Sequence, residues 1–255
     1  MTCLKFVMLC GALLVAFGAM AKPPLPVGAQ AVFTLGYESA ENLALVRATM
    51  DTNPSARALK VDCSVARSGK CSVMASIEKD PASVTAGAYR AESDTMKLLP
   101  TRYSPGDTLL YRFSLKLPAD WEIQPRSSID IVWQFKRFEG PPDMFVAVKG
   151  NGLVLRVGAT AQVTLLEPLP LGSWLDLDLK VHWSNGADGR VEGTVSTEND
   201  VVIHNFEYAG PTVRNDKPNA GYLKWGLYKP GKTDGSMQFR PHLVWHDEIY
   251  VYKLN

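Results

Sequence analysis

The segment at residues 222–229 combines residue types that could bind a sugar polymer and move protons on it. Polar and apolar residues alternate along it, as expected for a β-strand with two distinct faces. Leu223, Trp225 and Leu227 would face a core. The opposite face carries two phenols and an ammonium group, on Tyr222, Tyr228 and Lys224, with Gly226 between them. Because a glycine would leave room above the sheet, this face suits a flat ligand that carries carboxylates.

Two further segments place polar pairs at the same two-residue spacing. Arg90 and Glu92 would share one face of a strand, as would Gln134 and Lys136 on another. An arginine can hold a carboxylate through two parallel hydrogen bonds, and a glutamine amide is a neutral donor. In one curved sheet, the three strands would line a common groove. Structural alternatives are an exposed ion pair at 90 and 92 and a loop hydrogen bond from Gln134.

The elements that position these residues are mainly strands. Turn signals recur about every 10–12 residues, which is typical of an all-β sandwich or jelly roll. The predicted strands cover residues 109–117, 129–138, 145–149, 153–157, 174–183, 190–196 and 242–252. Gly150-Asn151-Gly152 predicts a hairpin, and only short helices such as 40–50 are expected. With no internal repeat or linker, residues 22–255 are predicted to form one domain.

Residues 1–21 have the pattern of a signal peptide. Lys5 supplies the positive charge of the N-terminal region, residues 6–17 form an apolar run, and Ala19-Met20-Ala21 is a small-x-small cleavage site. No second run of membrane length follows, so the mature protein is predicted to be secreted or periplasmic, with no membrane span. A lipid anchor on Cys10 is the alternative, although the residues before it are larger than a lipoprotein signal requires.

Cleavage of this segment would leave two cysteines, Cys63 and Cys71. In an oxidising compartment they are predicted to form a disulfide across a turn at Ser68-Gly69. A two-cysteine metal site or a catalytic thiol is the competing interpretation, and neither has a nearby histidine to support it.

The charge balance excludes some partners. Lys5 is the only charged residue within 1–21, so the remaining chain carries 26 basic and 26 acidic residues. Proteins that bind nucleic acid usually carry a basic surplus, so nucleic acid is not an expected partner. A strongly sulfated polymer would also call for more clustered cations, which favours an unsulfated polyuronate.

Four segments, in this order and spacing, resemble the jelly-roll polysaccharide lyases. They are Ala88-Tyr89-Arg90-Ala91-Glu92-Ser93, Ile131-Val132-Trp133-Gln134-Phe135-Lys136, residues 141–157 and residues 222–228. That group includes heparin lyase I, glucuronan lyase and, more distantly, alginate lyases with an R-x-E, Q-x-H and Y-x-K-x-G-x-Y set. The resemblance extends from about residue 63 to the C-terminus. It implies an all-β jelly roll, a two-sheet antiparallel sandwich with a concave substrate groove.

The resemblance also implies β-elimination on a uronate polymer. This reaction needs donors to the substrate carboxylate, a base for the C5 proton and an acid for the departing O4. By family position, Tyr228 is the proton shuttle and Gln134 donates to the reacting carboxylate. The implied substrate-binding residues are Arg90, Glu92, Lys224 and Tyr222, where Glu92 orients Arg90 or pairs with Lys136.

One position departs from the family pattern, because Lys136 stands where these lyases show the histidine of Q-x-H. Three explanations are open. Tyr228 performs both proton transfers, His182 supplies the missing imidazole from an adjacent strand, or the domain has lost catalysis. The predicted catalytic set is therefore Tyr228, Gln134, Lys136 and His182.

Two function classes follow, an exported lyase for an acidic polysaccharide and a non-catalytic polyuronate-binding protein of the cell envelope. A hydrolase is less well supported, because hydrolysis needs two carboxylates across the groove, which offers mainly Glu92. No cofactor is expected to be required. Structural calcium is suggested by relatives, with Asp247 as a candidate ligand, and a monomer is expected.

Overall fold

The structure is a computed structural model, and it describes most of the chain beyond the predicted signal peptide. The described residues are 24–47, 58–79, 84–85, 87–138, 140–158, 160–198, 203–214, 220–231 and 241–254. The predicted signal peptide and the end of the predicted helix, residues 48–50, lie outside the described residues.

The described strands form two antiparallel sheets. The first sheet runs in the order β13 (Ile203–Ala209), β12 (Arg190–Thr197), β11 (Trp174–His182), β6 (Thr108–Lys116), β15 (His242–Lys253), β3 (Ser72–Ile77) and β2 (Leu59–Asp62), and β1 (Gln30–Leu35) also pairs with β15. The second sheet runs in the order β10 (Ala161–Leu166), β9 (Gly152–Val157), β8 (Met144–Lys149), β7 (Asp130–Lys136), β14 (Tyr222–Lys229), β5 (Ala88–Asp94) and β4 (Val84–Thr85). Helix α1 (Ala40–Arg47) and a 3₁₀ turn (Leu99–Thr101) are the helical elements among the described residues. The predicted jelly-roll sandwich is confirmed.

Aromatic side chains join the two sheets across the core. Phe113 of the first sheet stacks on Trp133 of the second, with ring centroids 3.9 Å apart. Trp133 in turn lies 5.6 Å from Trp225, its neighbour on β14. All three side chains are buried. The alternation of the sequence therefore places one row of each strand in this core, as predicted for Leu223, Trp225 and Leu227.

The hairpin predicted at Gly150-Asn151-Gly152 is confirmed. It joins β8 to β9, and Gly150 has a φ of +59°, a conformation that glycine adopts without strain. Register along this hairpin sets Phe145 opposite Arg156. The strands that the sequence did not predict include β1, β10 and β13, each of which has a partly exposed or edge position.

Cys63 and Cys71 form the predicted disulfide. The loop that it closes packs on the first sheet, where the Arg67 guanidinium binds the Asp176 carboxylate at 2.7 Å. The backbone N–H of Arg67 also donates to Asp247 at 2.9 Å. The loop is therefore anchored to both β11 and β15.

Removing this disulfide should destabilise the protein. The Cys63→Ser, Cys71→Ser double variant is expected to lose about 2–3 kcal/mol of unfolding free energy, because a short closed loop restricts the unfolded chain. Urea unfolding of the oxidised wild type, the reduced wild type and the double variant would measure the difference. Equal stability of the oxidised and reduced wild type would contradict the prediction.

Within the described residues, no helix is long and apolar enough to cross a bilayer.

Candidate active site

The three polar segments converge on the second sheet, as predicted, because β14 lies between β5 and β7. Tyr228 is opposite Arg90 on β5, and Lys224 is opposite Gln134 on β7. Their outward-facing side chains form what is called here the polar face, which carries Arg90, Glu92, Gln134, Lys136, Tyr222, Lys224 and Tyr228.

Glu92 is the centre of a buried hydrogen-bond network on this face. Lys224 Nζ lies 2.6 Å from Glu92 Oε2, and Gln134 Nε2 donates to Glu92 Oε1. Only 1% of Lys224 and 7% of Glu92 is exposed. Arg90 Nη1 is further away, 3.9 Å from Glu92 Oε2. The expected partner of Glu92 was Arg90 or Lys136, whereas its closest cation in the structure is Lys224.

Tyr228 is half-buried and lies beside a cation. The Arg90 guanidinium carbon is 4.3 Å from the centroid of the Tyr228 ring, within the range of a cation–π contact. On its other side, the ring packs near Ile131, Ala147 and Val154, a small apolar cluster on the outside of the sheet. Tyr228 is thus a phenol with a positive charge on one side and apolar contacts on the other.

Gly226 has a structural role that the sequence did not suggest. A Cβ at this position would lie 2.2 Å from the Ala91 carbonyl oxygen, and the φ of Gly226 is +128°. The register with β7 shifts between Trp225 and Tyr228, which marks a β-bulge in β14. The bulge therefore requires a glycine at this position, two residues before Tyr228. That Gly226 also leaves room for a ligand stays a prediction.

Tyr222 and Lys136 are opposite each other at the far end of the polar face. Tyr222 is fully buried, and its hydroxyl has no hydrogen-bond partner among the described residues. Burial, followed by the negative charges of Asp94 and Glu92, raises the pKa of Tyr222 well above its ordinary value. Tyr222 is therefore a neutral phenol. Lys136 is half-buried, and its Nζ donates to the Gly140 carbonyl.

His182 does not lie beside Lys136. It is on β11, which pairs with β6 and β12 in the first sheet, whereas Lys136 is on β7 in the second. Its Nδ1 is 3.0 Å from Thr108 Oγ1, and its Nε2 is 3.6 Å from Asp188 Oδ2. The prediction that His182 supplies an imidazole from an adjacent strand is wrong, because the sequence identified its strand but not its sheet.

The polar face extends further than the sequence indicated. Phe145 is opposite Gln134, and Arg156 is opposite Phe145, so a row of side chains continues across β8 and β9. At the other end, Asp94 is opposite Lys224. The hairpin predicted at residues 150–152 would have allowed the pairing of Phe145 with Arg156 to be predicted from the sequence. No comparable feature of the sequence indicates that β7 pairs with β8.

Asp247, the candidate calcium ligand, accepts hydrogen bonds from three backbone N–H groups. They belong to Arg67 at 2.9 Å, Ser68 at 3.2 Å and Glu248 at 2.7 Å. Burial nevertheless raises the pKa of Asp247 to about 6. In the part of the chain that the structure describes, no group of three or more His, Cys, Asp or Glu side chains is arranged to hold a metal. Calcium binding stays a prediction.

His246, next to Asp247 on β15, should make the protein sensitive to acid. Burial lowers the pKa of His246 from 6.5 to about 4, so the folded state keeps the imidazole neutral. Between those values the unfolded state binds more protons, and stability falls as pH falls. The raised pKa of Asp247 has the opposite sign, because there the folded state binds more protons between pH 3.8 and about 6.

A His246→Gln variant isolates the histidine contribution, since Asp247 is present in both proteins. Relative to wild type, the variant should gain about 1.4 kcal/mol of unfolding free energy for each pH unit lost between 6.5 and 4. Urea unfolding of both proteins at intervals from pH 7 to 4 would measure this. Parallel stability curves would contradict the prediction.

Solved structures with this fold include a glucuronan lyase, alginate lyases and a glycoside hydrolase. The endo-β-1,4-glucuronan lyase of the fungus Trichoderma reesei has a TM-score of 0.62 and 21% identity, covering 78% of this chain and 88% of its own. The PL-14 alginate lyase of Aplysia kurodai has a TM-score of 0.59 and 10% identity, covering 88% and 100%. The glycoside hydrolase family 131 catalytic domain of Coprinopsis cinerea has a TM-score of 0.54 and 16% identity, covering 78% of each chain. At these identities the likeness establishes the fold alone.

The sequence itself decides the class. The Polysaccharide lyase family model matches residues 37–250, which is most of the chain. The protein therefore belongs to the polysaccharide lyases and is a lyase enzyme with a polysaccharide substrate, as the resemblance implied. No curated protein sequence matches the chain.

Proposed function

We propose that the protein is an exported lyase that cleaves an unsulfated uronate polymer by β-elimination on the polar face, with Tyr228 as the proton shuttle. The observation that carries this proposal is the placement of Tyr228. It is the partly exposed phenol of the polar face, and the Arg90 guanidinium lies 4.3 Å from its ring.

The chemistry requires a group that donates hydrogen bonds to the substrate carboxylate, next to the residue that moves the proton. A uronate whose carboxylate binds Arg90 would have its C5 close to the Tyr228 hydroxyl, because C5 carries the carboxylate. As the C5 proton leaves, charge develops on the carboxylate, where the guanidinium can stabilise it. In this proposal Tyr228 reacts as its phenolate, which takes the C5 proton as the C4–O4 bond breaks. The resulting phenol then gives that proton to the departing O4, so the elimination needs no separate acid.

Gln134 and Glu92 have supporting roles in this proposal. A glutamine amide has two N–H donors, and one of those of Gln134 is directed at Glu92. In this proposal the other donates to the substrate carboxylate. Glu92 compensates the charge of Lys224 at 2.6 Å, so that Lys224 holds Glu92 in place rather than acting as an isolated cation for the substrate.

The expected substrate is a polymer with carboxylates and without sulfates. The balance of basic and acidic residues and the pairing of Lys224 with Glu92 leave no large surplus of positive charge on the polar face. The Trichoderma reesei enzyme is named for glucuronan and the Aplysia kurodai enzyme for alginate. These two polymers are therefore the first to test.

The test is an assay for unsaturated uronate ends. The full chain is produced with its own leader, purified from the exported fraction, and incubated with glucuronan, alginate, hyaluronan and heparin. Ultraviolet absorbance should rise on glucuronan or alginate and stay flat on heparin. New reducing ends without absorbance would show hydrolysis, and binding without either signal would show a non-catalytic protein; both would overturn the proposal.

Export is tested on the same preparation. Cleavage after Ala21 should give a mature N-terminus at Lys22, which N-terminal sequencing would read. A full-length protein retained inside the cell would contradict export.

A further inference from the structure

We propose that His246 is a positioning residue for Tyr228, which it orients through the backbone carbonyl of Gly226. This inference rests on the proposed role of Tyr228 in proton transfer. His246 belongs to β15 of the first sheet, so it reaches the polar face from beneath, across the core.

The contact between the two sheets is direct. His246 Nε2 lies 3.2 Å from the Gly226 carbonyl oxygen, and the His246 side chain is fully buried. Its Nδ1 has no hydrogen-bond partner among the described residues. A neutral imidazole has one N–H, and placing it on Nε2 lets it donate to this carbonyl.

The acceptor is the residue that forms the bulge in β14. A peptide carbonyl turned towards a core requires a donor, and His246 supplies one. Gly226 has a φ of +128° and lies two residues before Tyr228. The His246 hydrogen bond therefore fixes the backbone at the Gly226 carbonyl, two residues before Tyr228.

The geometry that this contact protects is the placement of the Tyr228 phenol beside Arg90, 4.3 Å from its ring. Without the donor from His246, the peptide after Gly226 can rotate to find another partner. Because Tyr228 follows within two residues, its phenol would move relative to a bound uronate. A displacement of about 1 Å at a reacting group can lower the rate by about 100-fold.

Two substitutions at one position separate the hydrogen bond from the rest of the imidazole. In His246→Gln, the side-chain Nε2 can donate to the Gly226 carbonyl, whereas His246→Leu fills similar space without a donor. We expect His246→Leu to lower kcat by about 100-fold with KM near the wild-type value, and His246→Gln to retain kcat near wild type. Circular dichroism and thermal unfolding would test whether each variant is folded. If His246→Leu does not fold, His246→Asn replaces it, because its shorter amide does not reach the carbonyl.

Crystal structures of both variants give a readout that does not need activity. The distance from the Arg90 guanidinium carbon to the Tyr228 ring should stay near 4.3 Å in His246→Gln and change in His246→Leu. An unchanged distance, an unchanged kcat in folded His246→Leu, or equal losses in both variants would overturn the inference. Absence of lyase activity in wild type would instead overturn the proposed function, and the two structures would still test the positioning of Tyr228.

Discussion

Tyr228→Phe is expected to lower kcat on the uronate polymer by about 1,000-fold or more, the scale of losing a general acid–base group. The substitution removes only the hydroxyl. The ring remains, so its contact with Arg90 and with the apolar cluster around Ile131 should persist. Polymer binding and the thermal unfolding midpoint should therefore stay close to wild type. Initial rates of ultraviolet absorbance at saturating polymer would measure the loss.

Tyr252→Phe is the matched control for this experiment. Tyr252 is also half-buried on a strand, but it lies on β15 of the first sheet, away from Tyr228. The same loss of one hydroxyl there should leave kcat unchanged. A Tyr228→Phe variant that keeps more than a tenth of the wild-type kcat would show that another group moves the proton.

The sequence predicted the faces of individual strands well, because the two-residue period of a strand is a local property. It placed Leu223 and Trp225 in the core and Lys224 and Tyr228 on the polar face, and the structure agrees. The alternation of polar and apolar residues does not reveal the bulge at Gly226, because the alternation continues along β14 through this position. Only the register with β7 shows the additional residue.

Contacts between strands were harder to predict, because register and strand order depend on pairing between distant segments. Glu92 is opposite Gly226, and Lys224 reaches it diagonally from two residues away on β14. Nothing in the spacing of residues 90 and 92 indicates this partner. His182 shows the same limit for strand order, since its strand was correctly predicted but lies in the other sheet.

The pairing of Lys224 with Glu92 predicts large stability losses from single substitutions. Lys224→Met would leave the Glu92 carboxylate buried without its main counter-charge, and Glu92→Gln would do the same to Lys224. Because both side chains are nearly inaccessible, each change should cost about 3–5 kcal/mol of unfolding free energy. The double variant should lose clearly less than the sum, since it leaves no unpaired charge. Urea unfolding of the four proteins at pH 7 would measure the coupling.

The double-mutant cycle formed by these four proteins also separates two roles for Lys224. If Lys224 acted mainly as a binding site for a substrate carboxylate, Lys224→Met would raise KM and leave unfolding unchanged. If it mainly holds Glu92 and thereby Gln134, the stability loss should appear without substrate, and the double variant should recover much of it. Additive losses in the double variant would contradict the buried pair, whereas a coupling of several kcal/mol would show that the polar face is built around Glu92.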